Sequence, residues 1–402
     1  MVGQETRHVY MDYSAAKPVE LRVVKEMIPY MESSHGNPSS MHTFGQVAKR
    51  ALDESRTKVA NLINAEKPET IVFTSGATES NNLAIKGAAN RNKARGTKIL
   101  TSSIEHMSVV NACKSLIKEG FQTVFLPVDK FGLLDLKKLD EEIDDETTIV
   151  SIVYANGEIG TIQPIKKISK IVHAKNAYLH VDATAACGQV PINVHNEGID
   201  LLTISSNDMY GPKGVGALYL KDGVHIASML QGGGQERGLR SGTENVPGIV
   251  GLAKAAEIAK DEMRSESERL ITLRDDLIHG LLDPVPYAFL NGHPAKRLPD
   301  NVSVRYSFIE GESILLSLDL MGVYASSGSA CTAKTLQPSH VLLAIGLKHE
   351  EAHGSLMLTL GKQNTQEDVD YVKNLMPSIV KRLRKISPLT PEELKKQCIR
   401  TK

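Results

Sequence analysis

Short apolar runs alternate with helix-period stretches through the first half of the chain. Candidate strands lie at 70–73, 98–102, 123–127, 148–154, 178–181, 201–204 and 216–220, rich in Val, Ile, Leu and Thr. Between them, residues 80–89, 107–118 and 165–174 space their apolar side chains as one face of a helix. Alternation of this kind argues for an α/β layer with a mostly parallel sheet and helices on both faces. Ligands of such sheets gather at the carboxyl ends of strands, so chemistry is sought just after each run.

From 246 to about 281 the pattern becomes one long helix with Lys, Glu and Arg on one side, a connection leaving the first domain. Beyond it, 301–305 and 355–360 read as strands, and 312–320 and 367–386 as helices, which describes a smaller α+β domain. We therefore expect a large domain over 20–255, and a small domain formed by 1–19 with 256–402. Residues 387–402, poor in apolar side chains and charged at the end, read as a loosely held tail.

Composition narrows the class. Lys plus Arg equals Asp plus Glu at 47 each, so no charge excess favours nucleic acid or an anionic membrane. No run of about 18 or more apolar residues is present, and the polar start of the chain lacks a signal-peptide core. The four cysteines (Cys113, Cys187, Cys331, Cys398) form no C-x-x-C pair, which suits thiols in a reducing cytoplasm.

Several stretches carry candidate chemistry. Phe73-Thr-Ser-Gly-Ala-Thr-Glu-Ser is a strand, a small-residue turn and a helix start; Gly76, Ala77 and Thr78 can cradle a phosphate there. Equally, small-residue turns between strand and helix are common without any ligand. Asp182 ends the apolar run Tyr178-Leu-His-Val, where a carboxylate needs a partner such as a cationic ring nitrogen. The plainer alternative is a helix N-cap. His106, after the strand at 98–102, can stack on an aromatic ligand or serve as a polar loop residue, and Asn156 ends another strand nearby. Ser326-Ser-Gly-Ser-Ala-Cys331 is a small-residue loop that suits a thiol attacking at one place and delivering at another. Cys113 and Cys187 read as core fillers. His349-Glu-Glu-Ala-His353 matches the zinc-protease pattern, but within a helix too short for that role; a chance match is the simpler reading.

Together these stretches resemble the cysteine desulfurase family, pyridoxal-phosphate proteins of the aminotransferase-like fold type I, and within it the branch serving iron–sulfur cluster assembly. The likeness runs from Tyr10-Met-Asp-Tyr-Ser-Ala-Ala to about Arg384. It includes Gly36-Asn-Pro-Ser-Ser-Met-His, Glu105-His, His180-Val-Asp-Ala, Tyr210-Gly-Pro-Lys-Gly-Val-Gly, Arg240-Ser-Gly-Thr-Glu-Asn, Ser327-Gly-Ser-Ala-Cys and Gln337-Pro-Ser-His-Val-Leu. The resemblance implies a seven-stranded, mostly parallel sheet. It also implies that Ala77, Thr78, Ser205 and Ser206 hold the cofactor phosphate, with Thr243 reaching in from the other subunit of a homodimer. His106 would stack on the ring and act in catalysis, Asp182 would pair with the ring nitrogen, and Asn156 and Asn207 would lie around the cofactor. Cys331 would take sulfur from L-cysteine as a persulfide and pass it to a scaffold protein.

The chain departs from that pattern at its centre. The Schiff-base lysine and the histidine before it are replaced by Asp208 and Asn207. A carboxylate forms no imine with an aldehyde, and it adds negative charge beside a phosphate. Lys213 is no substitute, since the family has that lysine as well. Ala185 replaces a glutamine expected at the ring hydroxyl, Met357 an arginine expected at the substrate carboxylate, and Gly157 an asparagine. Three expectations stay open. The chain mobilises sulfur with non-covalently held pyridoxal phosphate; or it is a non-enzymatic assembly partner whose Cys331 ligates a nascent [2Fe-2S] cluster shared with the scaffold; or it is a pyridoxamine-phosphate protein in which Asp208 pairs with the amine.

Overall fold

The computed structural model describes residues 7–328 and 338–400. The chain opens with a short strand, β1 (Val9–Tyr10), and two helices, α1 (Leu21–Glu32) and α2 (Thr43–Leu62). Next come β2 (Ile71–Thr74), α3 (Ala77–Arg91), β3 (Lys98–Ser102), α4 (Met107–Ile117), β4 (Gln122–Leu126) and α5 (Leu136–Glu142). They are followed by β5 (Thr147–Val153), α6 (Ile165–Ala174), β6 (Tyr178–Asp182), β7 (Leu201–Ser205) and β8 (Gly216–Leu220). Among the described residues the largest sheet has seven strands in the order β2-β8-β7-β6-β5-β3-β4. Only β8 runs against its neighbours, so the expected mostly parallel sheet is what forms.

The central strands are apolar at successive positions because helices cover both faces. All seven residues of β5, Thr-Thr-Ile-Val-Ser-Ile-Val, are buried. One apolar cluster joins Leu100, Val150, Leu179 and Leu202 to α2, α6 and the start of α7 (Val246–Leu282). Another joins Ile99, Ile149 and Leu201 to α3 and α4. Each fully buried Leu or Ile contributes about 2 kcal/mol of transfer free energy. In α6 the spacing of Ile165, Ile168 and Val172 presents one face to the sheet.

The remaining elements form a second layer: β9 (Ala288–Leu290), β10 (Asn301–Tyr306), α8 (Gly311–Asp319), β11 (Val323–Tyr324), α9 (His340–Ala344), α10 (His349–His353), β12 (Ser355–Thr359) and α11 (Gln366–Ile386). Strands β12-β10-β9 make an antiparallel sheet, and β1 pairs in parallel with β11. Its core joins Val9 and Met11 to Val304, Leu356, Val372 and the far half of α7, from Leu270 onward. Helix α7 is thus common to both cores. The tail is not loose: residues 387–400 carry α12 (Glu392–Arg400), and Leu394 is buried. The zinc-pattern residues form the single short helix α10, directly before β12.

Candidate functional site

Strands β7, β6, β5 and β3 are parallel neighbours, and β2 points the same way because β8 runs antiparallel to both β2 and β7. Their carboxyl ends therefore deliver Ser205, Asp182, the turn at Asn156, Glu105-His106 and the Gly76 turn to one edge. Gly216, opposite both Thr74 and Ser205, lets the two outer turns close in: a Cβ there would stand 2.8 Å from Gly76 Cα. Gly76 itself has φ +142° with open space where a side chain would be, a conformation natural only to glycine. No side chain caps α3, so the amides of its first turn remain available to an anion. Ala77 and Thr78 begin that turn, half-buried and exposed respectively.

A continuous hydrogen-bond path ties the aromatic face to the buried carboxylate. The Ser108 amide donates to His106 Nδ1 at 3.2 Å, which makes that nitrogen an acceptor, and the Ser108 hydroxyl lies 2.8 Å from it. Asn81 donates its two amide hydrogens to Ser108 Oγ (2.8 Å) and to Asp182 Oδ2 (2.7 Å). The other Asp182 oxygen accepts from the Thr184 amide and hydroxyl, at 3.0 and 2.6 Å. Among the described residues no cation pairs with this carboxylate, so a ring N–H⁺ is a fitting partner. The adjacent His180, fully buried between the hydroxyls of Ser151 (2.8 Å) and Thr203 (3.1 Å), is driven toward its neutral form by burial.

The remaining candidates divide. The Ser205 hydroxyl bonds Asp208, whereas Ser206 is fully buried with its hydroxyl packed against Gly211. Asn156 is occupied by the backbone: it donates to the Ile104 carbonyl at 2.7 Å and accepts from the amides of Glu158 and Ile159. It shapes the cleft floor with both ends of its amide engaged. Asn207 Oδ1 is buried without a partner. Thr243 is exposed, in the loop that Arg240 anchors to Glu79 at 2.9 Å. Cys331 lies outside the described residues; Cys113 and Cys187 are buried, each thiol pushed up to about 12 by burial, as core fillers should be.

Asp208 lines a cavity together with Lys17 and Tyr210 and bonds the Ser205 hydroxyl. Burial pushes its carboxyl up, with Lys17 the leading charge opposing that rise. A second cleft is lined by His106, Asn156, Glu105, Glu158, Ser326 and Met357. Met357 is 7 % exposed and exchanges backbone hydrogen bonds with Ser326 at 2.7 and 3.1 Å. A Cβ on Gly157 would sit 3.6 Å from Ala185 Cβ and from Ser14 Oγ, so two of the truncated positions adjoin one another. Glu158 touches both sides of the Cys331 segment, accepting from Ser339 at 2.7 Å and abutting Gly328. Burial pushes the carboxyls of Glu105 and Glu158 up to about 8, so both are largely protonated at neutral pH.

Asn81, Ser108, Glu158 and Lys17 carry this geometry, yet no spacing pattern singles them out, and Glu105 enters only beside His106. The one usable signal was position: Asn81 stands one turn beyond Ala77, on the same face of α3.

The aminotransferase class-V family model matches residues 9–372. A cysteine desulfurase IscS 1 from Archaeoglobus fulgidus is 57% identical, covering 94% of this chain and 99% of its own length. A cysteine desulfurase IscS from Methanosarcina thermophila is 52% identical over 98% of this chain and 96% of its own. A solved NifS-like protein superposes with a TM-score of 0.87 at 38% identity, covering 94% of this chain and 100% of its own.

Proposed function

Since the chain belongs to the class-V aminotransferase family, with cysteine desulfurases as its relatives, we propose that it is a sulfur-transfer protein of iron–sulfur cluster assembly in which Cys331 handles the sulfur. The observation that carries this reading is the intact path His106–Ser108–Asn81–Asp182 at the edge where the Gly76 turn opens. A flat, cationic, phosphate-bearing ring lying against that path would find a partner at each point. Pyridoxal phosphate meets the description and, when bound, supplies an electron sink for bond cleavage next to an amino group.

Ala77, Thr78 and Ser205 would hold the phosphate, with Thr243 of the partner subunit completing the cup in a homodimer. Asp182 would keep the ring nitrogen protonated, His106 would cover the ring face, and Asn156 would hold the cleft floor in place. With Asp208 in place of lysine the cofactor is held without a covalent link. With Met357 in the cleft, L-cysteine lacks the charge-assisted pair its carboxylate would want, so turnover is slow. As an enzyme, the Cys331 thiolate would attack the sulfur of L-cysteine and keep it as a persulfide while the substrate C–S bond breaks and alanine leaves; as a partner, it lends its thiolate to a [2Fe-2S] cluster that is cargo for a scaffold protein. The second role, a non-enzymatic assembly partner, is favoured by the coincidence of Asp208, Ala185 and Met357. A buried carboxylate at 208 also suits pyridoxamine phosphate, whose amine it could pair with.

The deciding experiment compares purified protein with Asp208→Lys, each given pyridoxal phosphate with and without L-cysteine. Sulfide release by the natural protein that disappears in Cys331→Ala supports the enzyme. Release only from Asp208→Lys, with the cofactor trapped on the new lysine by borohydride, supports the assembly partner. In that case the anaerobic scaffold complex should show cluster absorbance that Cys331→Ala removes. Failure of both proteins to bind cofactor would overturn the reading.

A further inference from the structure

A buried carboxyl needs a reason, and Glu158 has one in its neighbours. Its backbone is fixed: the Glu158 amide donates to Asn156 Oδ1 at 2.9 Å, and Asn301 donates to the Gly157 and Glu158 carbonyls at 2.9 and 3.2 Å. One side-chain oxygen, Oε2, accepts from the Ser339 hydroxyl at 2.7 Å. The other, Oε1, is buried without a hydrogen-bond partner among the described residues, and a Cβ on Gly328 would stand 2.7 Å from it. Gly328 and Ser339 lie on either side of residues 329–337, which carry Cys331. Each flank has a second tie. Ser355 donates to the Ser327 carbonyl at 3.0 Å on one side. On the other, His340 Nε2 donates to the Glu105 carbonyl at 2.9 Å, next to His106. The Ser339 oxygen accepts from the Val341 and Leu342 amides, which leaves its hydroxyl proton for Glu158.

We propose that Glu158 is a positioning residue for sulfur transfer: its carboxyl pins both flanks of the segment that carries Cys331 and so sets where the thiol is presented. The missing side chain at Gly328 is what lets the carboxyl lie against that flank. Burial keeps this carboxyl protonated at neutral pH, so an amide in its place preserves both the shape and an acceptor for Ser339. The inference rests on the reading that Cys331 handles sulfur; the pinning itself needs neither cofactor nor turnover.

The test compares the full chain with Glu158→Gln, Glu158→Ala and Ser339→Ala, without cofactor. Amide hydrogen exchange is followed by mass spectrometry over 323–328 and 338–345, together with iodoacetamide labelling of the Cys331 peptide. Glu158→Ala should speed exchange at both flanks, and labelling of Cys331, roughly tenfold, while Glu158→Gln stays within about twofold of the natural protein. Ser339→Ala is read across the segment: exchange over 323–328 should rise although the lost hydroxyl belongs to the other flank. That variant also decides the matter if Glu158→Ala does not fold. A rise at one flank only, or at neither, overturns the proposal. So does a rise that Glu158→Gln shares, or one spread evenly over the whole chain. A second arm repeats Glu158→Ala in the Asp208→Lys background with pyridoxal phosphate and L-cysteine. Sulfide release should fall roughly tenfold while affinity for pyridoxal phosphate moves less than about twofold; unchanged release overturns the role in transfer. No release from Asp208→Lys itself, with both flanks still coupled, overturns the sulfur reading and leaves the pin standing.

Discussion

Glu105 offers a sharp test of the electrostatics of the cleft. It is fully buried, with one oxygen accepting from the Ser102 hydroxyl and the Val153 amide and the other without a partner. Burial moves its carboxyl from the ordinary 4.5 to about 8. Between those values the folded chain keeps a proton that the unfolded chain releases, so stability falls as pH rises through this window. Integrated from about pH 5 to about pH 8, the loss is on the order of 3 kcal/mol. Glu105→Gln keeps the shape and has no proton to lose. Urea denaturation of both proteins across this range should show the variant gaining on the natural protein by that amount. The constant offset between an acid and an amide cancels in the comparison, as do contributions from other buried groups. A stability difference that stays flat to within about 0.5 kcal/mol would mean that Glu105 is charged and stabilised by something else, and the reasoning would fail.

Three further outcomes are expected. Asn81→Ala removes both donors that link Ser108 and Asp182, so affinity for pyridoxal phosphate should drop about tenfold or more; an unchanged titration would show the path to be idle. Arg56 makes two 2.7 Å contacts to Glu236, which is nearly inaccessible and also accepts from the Phe73 amide. Arg56→Met should cost about 3–5 kcal/mol in urea denaturation, because it strands a buried carboxylate; a cost below about 1 kcal/mol would refute this. Met357→Arg, made in the Asp208→Lys background, should tighten L-cysteine roughly tenfold by equilibrium titration by restoring a charge-assisted pair. No tightening would place the substrate carboxylate elsewhere.

The strands were legible because each is a short run rich in Val, Ile, Leu and Thr: β3 and β8 match their expected limits, and the others shift by a residue or so. Helix α1 escapes pattern reading, since Val23 is its only buried residue while Leu21 and Met31 stand exposed. At the site, Asp182, His106 and Asn156 could be found because each follows a strand. Asn81 meets Asp182 across 101 residues of sequence, a contact that no local spacing encodes. Lys17 and Asp300 come together in the same way. The tail reads as loose from composition because the burial of Leu394 is a tertiary event.

The N-terminal segment has a consequence for the order of assembly. Val9 and Tyr10 pair with Val323 and Tyr324, Met11 accepts from the Thr359 amide at 2.7 Å, and Lys17 follows a few residues later. These residues thus wait for strands hundreds of positions later in the chain before they find their partners. The large sheet can form earlier, but Lys17 is carried into place only when the C-terminal layer docks and closes this long loop. Chains halted before β12 should therefore fold their large sheet yet leave the segment around Val9–Met11 open to proteolysis.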